Sequence, residues 1–264
     1  MANPKARSGD AEAADRGTHA QRRPILFEDD RMISLRFDRQ SVQSAMYRAD
    51  PTRLALGYTR LMMAFLLFQP VPRELLIIGL GGGSLSKYCY RHLPRTRITT
   101  VEINARVIAL RDKFAIPPDD TRFRVVHADG AEFIAAHADS SDVILLDGYD
   151  AAGLPYALSS QHFYDGCAAA LREGGVLVAN FLRRDRHVEE YLDRMGNAFG
   201  HRILTAWSED RGNQVVSALA QSCLPARQTL LQRASALEAE HEIAFRMIAS
   251  QMISSIRPRG DRSG

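Results

Sequence analysis

The sequence predicts an α/β fold: a mostly parallel sheet of seven strands, one of them antiparallel, with helices on both faces and a small N-terminal β-hairpin. Three observations predict it. Short apolar runs alternate with amphipathic stretches from residue 75 to residue 181. An apolar run of that length suits a strand buried on both faces, and each amphipathic stretch suits a helix covering it. The β-rich runs 202–207 and 213–220 then flank Ser208-Glu209-Asp210-Arg211-Gly212, a hairpin that sets one antiparallel strand into the sheet. Finally, Gly79-Leu80-Gly81-Gly82-Gly83-Ser84 follows the first apolar run and opens the helix 85–92, the strand-turn-helix order of a nucleotide-binding βαβ unit.

Taken in order, residues 1–24 form a polar tail expected to be disordered, without the apolar run of a secretory signal. Asp10, Glu12 and Asp15 count against a transit peptide, since such peptides are poor in acids. Within an N-terminal element at 25–50, Leu35, Phe37, Val42, Ala45 and Tyr47 alternate irregularly around Asp38-Arg39-Gln40, which predicts the hairpin over 34–47. Asp50-Pro51 offers a helix cap with proline at the first helical position. Leu54, Tyr58, Leu61, Met62 and Phe65 continue it at helical spacing toward Pro70-Val71-Pro72. Sheet strands are expected at 75–79, 98–102, 124–127, 143–147 and 176–181, with one or two amphipathic helices over 224–256 and a basic tail at 257–264. The main domain therefore spans 51–256.

Composition excludes several function classes. With 34 Lys and Arg against 31 Asp and Glu, the net charge of +3 is too small for a nucleic-acid footprint without a concentrated basic face. The longest apolar stretch, residues 61–68, is about a third of the roughly 20 residues a membrane helix needs. Cys89, Cys167 and Cys223 are widely spaced and the histidines show no ligand spacing, so no metal is expected and the thiols suit a reduced, cytoplasmic setting. As partners the composition implies no nucleic acid and no membrane, and it admits a homodimer; the small-molecule amine follows from the paired acids Asp147 and Asp150.

The chemistry-bearing residues stand at strand ends. Gly79, Gly81, Gly82 and Gly83 let the chain turn sharply and present N–H groups at the positive end of a helix. Glu102 lies about 20 residues further on at the next strand end, where an acid hydrogen-bonds ribose hydroxyls, so the pair specifies a nucleoside. Ser84 stands where a nicotinamide dehydrogenase prefers glycine or alanine. Asp129-Gly130 ends the third strand; Asp129 can accept from an exocyclic amine such as adenine's, cap the following helix, or do both. Asp147 and Asp150 follow the fourth strand, where two carboxylates can hold a cationic amine and one can take its proton.

The order of glycine-rich loop, Val101-Glu102-Ile103, Asp129-Gly130 and Asp147-x-x-Asp150-x-x-Gly153 resembles the spermidine synthase family of polyamine aminopropyltransferases. Phe163-Tyr164, Leu171-Arg172-Glu173-Gly174-Gly175-Val176-Leu177, and Val42-Gln43 with Tyr58 are similar too, and the likeness covers residues 35–220. It implies a Rossmann-like class I methyltransferase fold and aminopropyl transfer from decarboxylated S-adenosylmethionine to a putrescine-like diamine, releasing methylthioadenosine. Glu102 would bind the donor's ribose and Asp129 face its adenine. Asp147 would be the catalytic carboxylate, Asp150 would help hold the acceptor amine, and Gln43 and Tyr58 would line the pocket. Gly82 stands where the family's loop usually carries an aspartate. Ordinary S-adenosylmethionine therefore remains an alternative donor, in a methyltransferase acting on a small nucleophile. A non-catalytic nucleotide-binding descendant is the third reading.

Overall fold

A computed structural model describes residues 22–38, 42–149, 153–220 and 224–256. At the N-terminus β1 (Ile25–Glu28), β2 (Met32–Arg36) and β3 (Val42–Tyr47) form an antiparallel sheet in that order. The expected hairpin is the β2–β3 pair, and the correction is a third strand, with Ile25 opposite Arg36 and Glu28 opposite Ile33. Strand β1 escaped the sequence pattern because it buries little: Ile25 and Phe27 are exposed and Leu26 is only partly buried against the core, whereas Ile33 and Leu35 of β2 are fully buried in it.

The helix expected from residue 51 begins later. Asp50 accepts from the backbone N–H (3.1 Å) and the hydroxyl (2.7 Å) of Thr52, bonds that hold its carboxyl below the usual range, the hydroxyl bond foremost. It caps a single turn that is not continued, because the Arg60 guanidinium reaches back to the Leu54 carbonyl at 3.0 Å and Leu54 itself is buried. Helix α1 (Gly57–Met62) follows and passes into a 3-10 turn (Met63–Leu67) buried on every side. Burial all round marks it as core material.

The central sheet contains β4 (Glu74–Ile78), β5 (Arg97–Glu102), β6 (Phe123–His127), β7 (Ser141–Leu146), β8 (Leu171–Leu182), β9 (Ile203–Trp207) and β10 (Asn213–Leu219). Their spatial order is β6-β5-β4-β7-β8-β10-β9, and β10 alone runs against the rest, antiparallel to both β8 and β9. Strand β8 extends beyond its predicted span because it pairs along seven residues with β10 and starts where Leu171 meets Ser141 of β7.

The two-residue period of the strands divides the apolar interior into two layers. Leu75, Ile77, Val143, Leu145, Val176 and Val178 face one layer; Leu76, Ile78, Ile144, Leu146 and Leu177 face the other. Helices α2 (Ser84–His92), α7 (Arg227–Glu240) and α8 (Phe245–Ser255) contribute to the first layer. Helices α5 (Gln161–Ala170) and α6 (Val188–Ala198) contribute to the second. Shorter helices α3 (Ala105–Ile108) and α4 (Gly130–Ala135) lie beside β5 and β6. No helix among the described residues is long and apolar enough to cross a membrane.

From β4 the chain winds outward through β5 to β6, then returns to place β7 on β4's other side. That reversal opens a crevice beyond the carboxyl ends of β4 and β7, where open α/β sheets bind ligands.

Candidate active site

At the reversal point the backbones of β4 and β7 approach closely. The Asp147 N–H donates to the Ile78 carbonyl at 2.9 Å, and the Gly79 N–H donates to the Val101 carbonyl at 2.8 Å. Gly79 has φ +98°, and a Cβ there would lie 2.3 Å from the Asp147 carbonyl oxygen. Only glycine allows the contact.

The glycine turn is tied to β5 by Glu102. Its buried carboxylate accepts from the Leu80 N–H through Oε2 (2.9 Å) and from the Asn104 N–H through Oε1 (2.8 Å). An ionised carboxylate has about four acceptor positions, so these two bonds leave capacity for ligand hydroxyls. Gly79, Gly81, Ser84 and Glu102 line a cavity of about 270 Å³. Gly82 and Gly83 do not line it: Cβ atoms on them would meet Phe114 and Ser44, and Ile116, respectively. Asp129 caps α4, accepting from Ala131 N–H (2.8 Å) and Glu132 N–H (3.3 Å), and it lines the cavity with Gly130.

Asp147 lines the same cavity. Its Oδ2 accepts from the Tyr58 hydroxyl and its Oδ1 from the Asn180 amide, both at 3.0 Å. Burial raises the Asp147 carboxyl above its ordinary value, and the bonds from Asn180 and Tyr58 oppose that rise. Burial and the neighbouring Asp147 push the Tyr58 phenol well above its usual range, so Tyr58 remains a donor. The Asn180 amide is oriented in turn by Asn213, whose Nδ2 donates to Asn180 Oδ1 at 2.9 Å. Gln43 lines the same cavity, and its backbone carbonyl lies 3.3 Å from the Tyr58 hydroxyl. Asp150 falls outside the described residues.

Replacing Asn180 by Leu is expected to remove the donor that lowers Asp147's pKa and so to raise that pKa further. An NMR titration of the Asp147 carboxyl in both proteins checks it. An unmoved midpoint would mean that Asn180 does not tune Asp147.

The sequence pattern had singled out Asp147, Tyr58 and Gln43 but not Asn180, Asn213 or Asp210, all of which line the cavity. Asn180 carried a signal, being a lone amide within the apolar run Val176-Leu177-Val178-Ala179-Asn180-Phe181. Asn213 and Asp210 look like ordinary turn residues. Among the described residues no group of three or more His, Cys, Asp or Glu side chains could hold a metal ion.

The family model for the spermine/spermidine synthase domain matches residues 55–198. A polyamine aminopropyltransferase of Chromobacterium violaceum is 36% identical over 222 residues, covering 83% of this chain and 85% of its own length. That of Neisseria meningitidis serogroup A is 36% identical over 236 residues, covering 87% and 89%. A crystal structure of spermidine synthase with the transition-state analogue AdoDATO superposes with a TM-score of 0.66 at 20% identity, covering 87% of this chain and 85% of that one.

Proposed function

Because the chain belongs to the spermine/spermidine synthase family, we propose that it moves an aminopropyl group from decarboxylated S-adenosylmethionine to a putrescine-like diamine, releasing methylthioadenosine. It is a transferase, which sets aside the non-catalytic reading. One observation carries the proposal: a buried carboxylate, Asp147, held by Tyr58 and Asn180, shares a cavity with the nucleoside-type pair of glycine turn and Glu102.

In the proposed reaction the amine nitrogen attacks the propyl carbon bound to the sulfonium. A C–N bond forms, the C–S bond breaks, and the electron pair leaves with sulfur as a neutral thioether. The proton shed by the amine goes to Asp147, whose raised pKa makes it a better base than an exposed aspartate. The cofactor carries the driving force, so the chain's task is positioning and water exclusion. Glu102 binds the ribose hydroxyls, Asp129 faces the adenine amine, and the loop Gly79 to Gly83 with Gly130 shapes the donor site. Gln43, Tyr58 and Asp150 position the acceptor. The buried free thiols of Cys89 and Cys167 fit a cytoplasmic enzyme.

Incubation with the decarboxylated donor and a panel of diamines tests the reading. Methylthioadenosine should accumulate with the alkylated amine, and its absence across the panel would overturn aminopropyl transfer. Methyl transfer remains the second reading on one observation: residue 82 is a glycine, so the loop carries no side-chain carboxylate there to repel that of ordinary S-adenosylmethionine. Calorimetry with both donors separates the two, since tighter binding of the decarboxylated form counts against methylation.

Glu102→Gln is expected to weaken donor binding about tenfold and to lower stability by about 1–3 kcal/mol. The amide offers one acceptor oxygen where two buried backbone N–H groups need one each. Calorimetry and thermal melting measure the two effects separately. Unchanged donor affinity would exclude the ribose role.

A further inference from the structure

We propose that Lys87 is a positioning residue for the donor: its buried ammonium pins the turn at residues 114–116 against the back of the glycine turn and so keeps the glycine turn in its nucleoside-binding shape. The inference rests on the glycine turn and Glu102 forming the donor site, as proposed above.

Helix α2 delivers Lys87 to this place. The glycine turn closes through the Gly83 N–H, which donates to the Leu80 carbonyl at 2.8 Å, and α2 leaves it with the Lys87 N–H donating to the Gly83 carbonyl at 2.8 Å. The turn has a front and a back. Gly79, Leu80 and Gly81 line the cavity, whereas a Cβ on Gly82 would lie 2.7 Å from the Phe114 ring and one on Gly83 2.5 Å from Ile116. Phe114 and Ile116 are buried, and Ala115 between them has φ +50°, in the left-handed region that disfavours a residue with a Cβ. Such a turn needs a fastening from outside itself. The Lys87 Nζ supplies one, donating to the Phe114 carbonyl at 2.7 Å and lying 6.0 Å from the centre of the Phe114 ring.

Folding alone gives no reason for a lysine at this position. Lys87 is 2% exposed, and among the described residues no ion pair involves it. Burial drives its pKa from the ordinary lysine value down to about 7. An ammonium is also badly placed in the first turn of a helix, at the positive end of the macrodipole, and α2 has no acid there to counter it. A single backbone acceptor does not offset the desolvation of a charge, and an apolar side chain of similar length would fill the same space without it. What the apolar chain lacks is the grip on the Phe114 carbonyl. With that grip released, the 114–116 turn moves off Gly82 and Gly83 for part of the time, and apparent donor affinity falls by the fraction of time the glycine turn is misshapen. Asp147 is held by Tyr58 and Asn180 instead, so the acceptor side should be untouched.

The test compares wild type with Lys87→Met by calorimetry, thermal melting and steady-state kinetics on the full chain. Methylthioadenosine should bind about tenfold more weakly to the variant, the scale of one hydrogen bond to a charged group, while Tm stays level or rises. Equal affinity, or no binding to wild type, overturns the proposal. So does a Tm loss in the variant, which would make Lys87 an ordinary structural residue. KM for the donor should rise about tenfold, with kcat at saturating donor and KM for the diamine held within about twofold. A fall in kcat at unchanged donor KM overturns it as well. Phe114→Leu, made in both backgrounds, gives an independent reading: because Lys87 acts through Phe114, the two losses of affinity should not add. Additive losses would place the effect of Lys87 elsewhere and overturn the proposal. If methylthioadenosine binding depends on Lys87 in a protein that transfers no aminopropyl group, the reaction assignment fails and the role of Lys87 stands; normal transfer with equal affinity in both proteins does the reverse.

Discussion

Asp147→Asn is expected to lower the transfer rate by about 10²-fold or more, the scale on which a positioned base contributes. The substitution keeps the shape of the side chain and removes its charge, so circular dichroism and donor binding should be little changed while turnover is lost. Tyr58 and Asn180 both donate to this carboxylate in the wild type. The site therefore favours an acceptor-only group. A variant retaining a third of wild-type kcat would exclude Asp147 as the base.

The pH behaviour follows from the same burial. Because Asp147 titrates above its ordinary value, kcat should fall on acidification at a pH higher than an exposed aspartate would give, and that limb should vanish in the Asn variant. A carboxyl whose folded pKa lies above its unfolded value contributes stability that is fully present below the unfolded pKa and is lost as pH rises through the folded one. The wild type should thus lose ground in Tm against Asp147→Asn on going from acid to neutral pH. Melting curves for both proteins across that range test the sign.

Gly79→Ala is expected to destabilise the fold by about 3 kcal/mol or more, a large share of the 5–15 kcal/mol typical of a domain. The added Cβ would stand 2.3 Å from the Asp147 carbonyl oxygen and 2.9 Å from its carbon. Both are backbone atoms of a sheet strand end, which cannot rotate aside as a side chain could. The positive φ of +98° adds strain of about 1–2 kcal/mol for a residue with a Cβ. A Tm drop of roughly 6–12 °C is the expected reading at this chain length. Gly81→Ala provides the contrast, with φ +50° but its nearest contact a comfortable 3.5 Å from the Ser44 Cβ. Equal losses at the two positions would show that strand approach is not what requires glycine at 79.

The sequence by itself determined the strands of the central sheet, the presence of one antiparallel strand in its last hairpin, the glycine turn and the acids at the strand ends. Period-two burial and turn chemistry are local, and a buried strand bounded by glycine or aspartate is legible wherever it falls. It missed β1, which buries only part of Leu26, and it placed the first helix early, because a cap signal at Asp50 does not reveal that Arg60 takes the Leu54 carbonyl from six residues away. What only the tertiary structure decided is the company of Asp147. Tyr58 comes from 89 residues upstream and Asn180 from 33 downstream. Asn213 and Asp210 enter the cavity only because β10 inserts between β8 and β9. Which strands become neighbours is set by the packing of whole layers, and no local pattern of residue types carries that information.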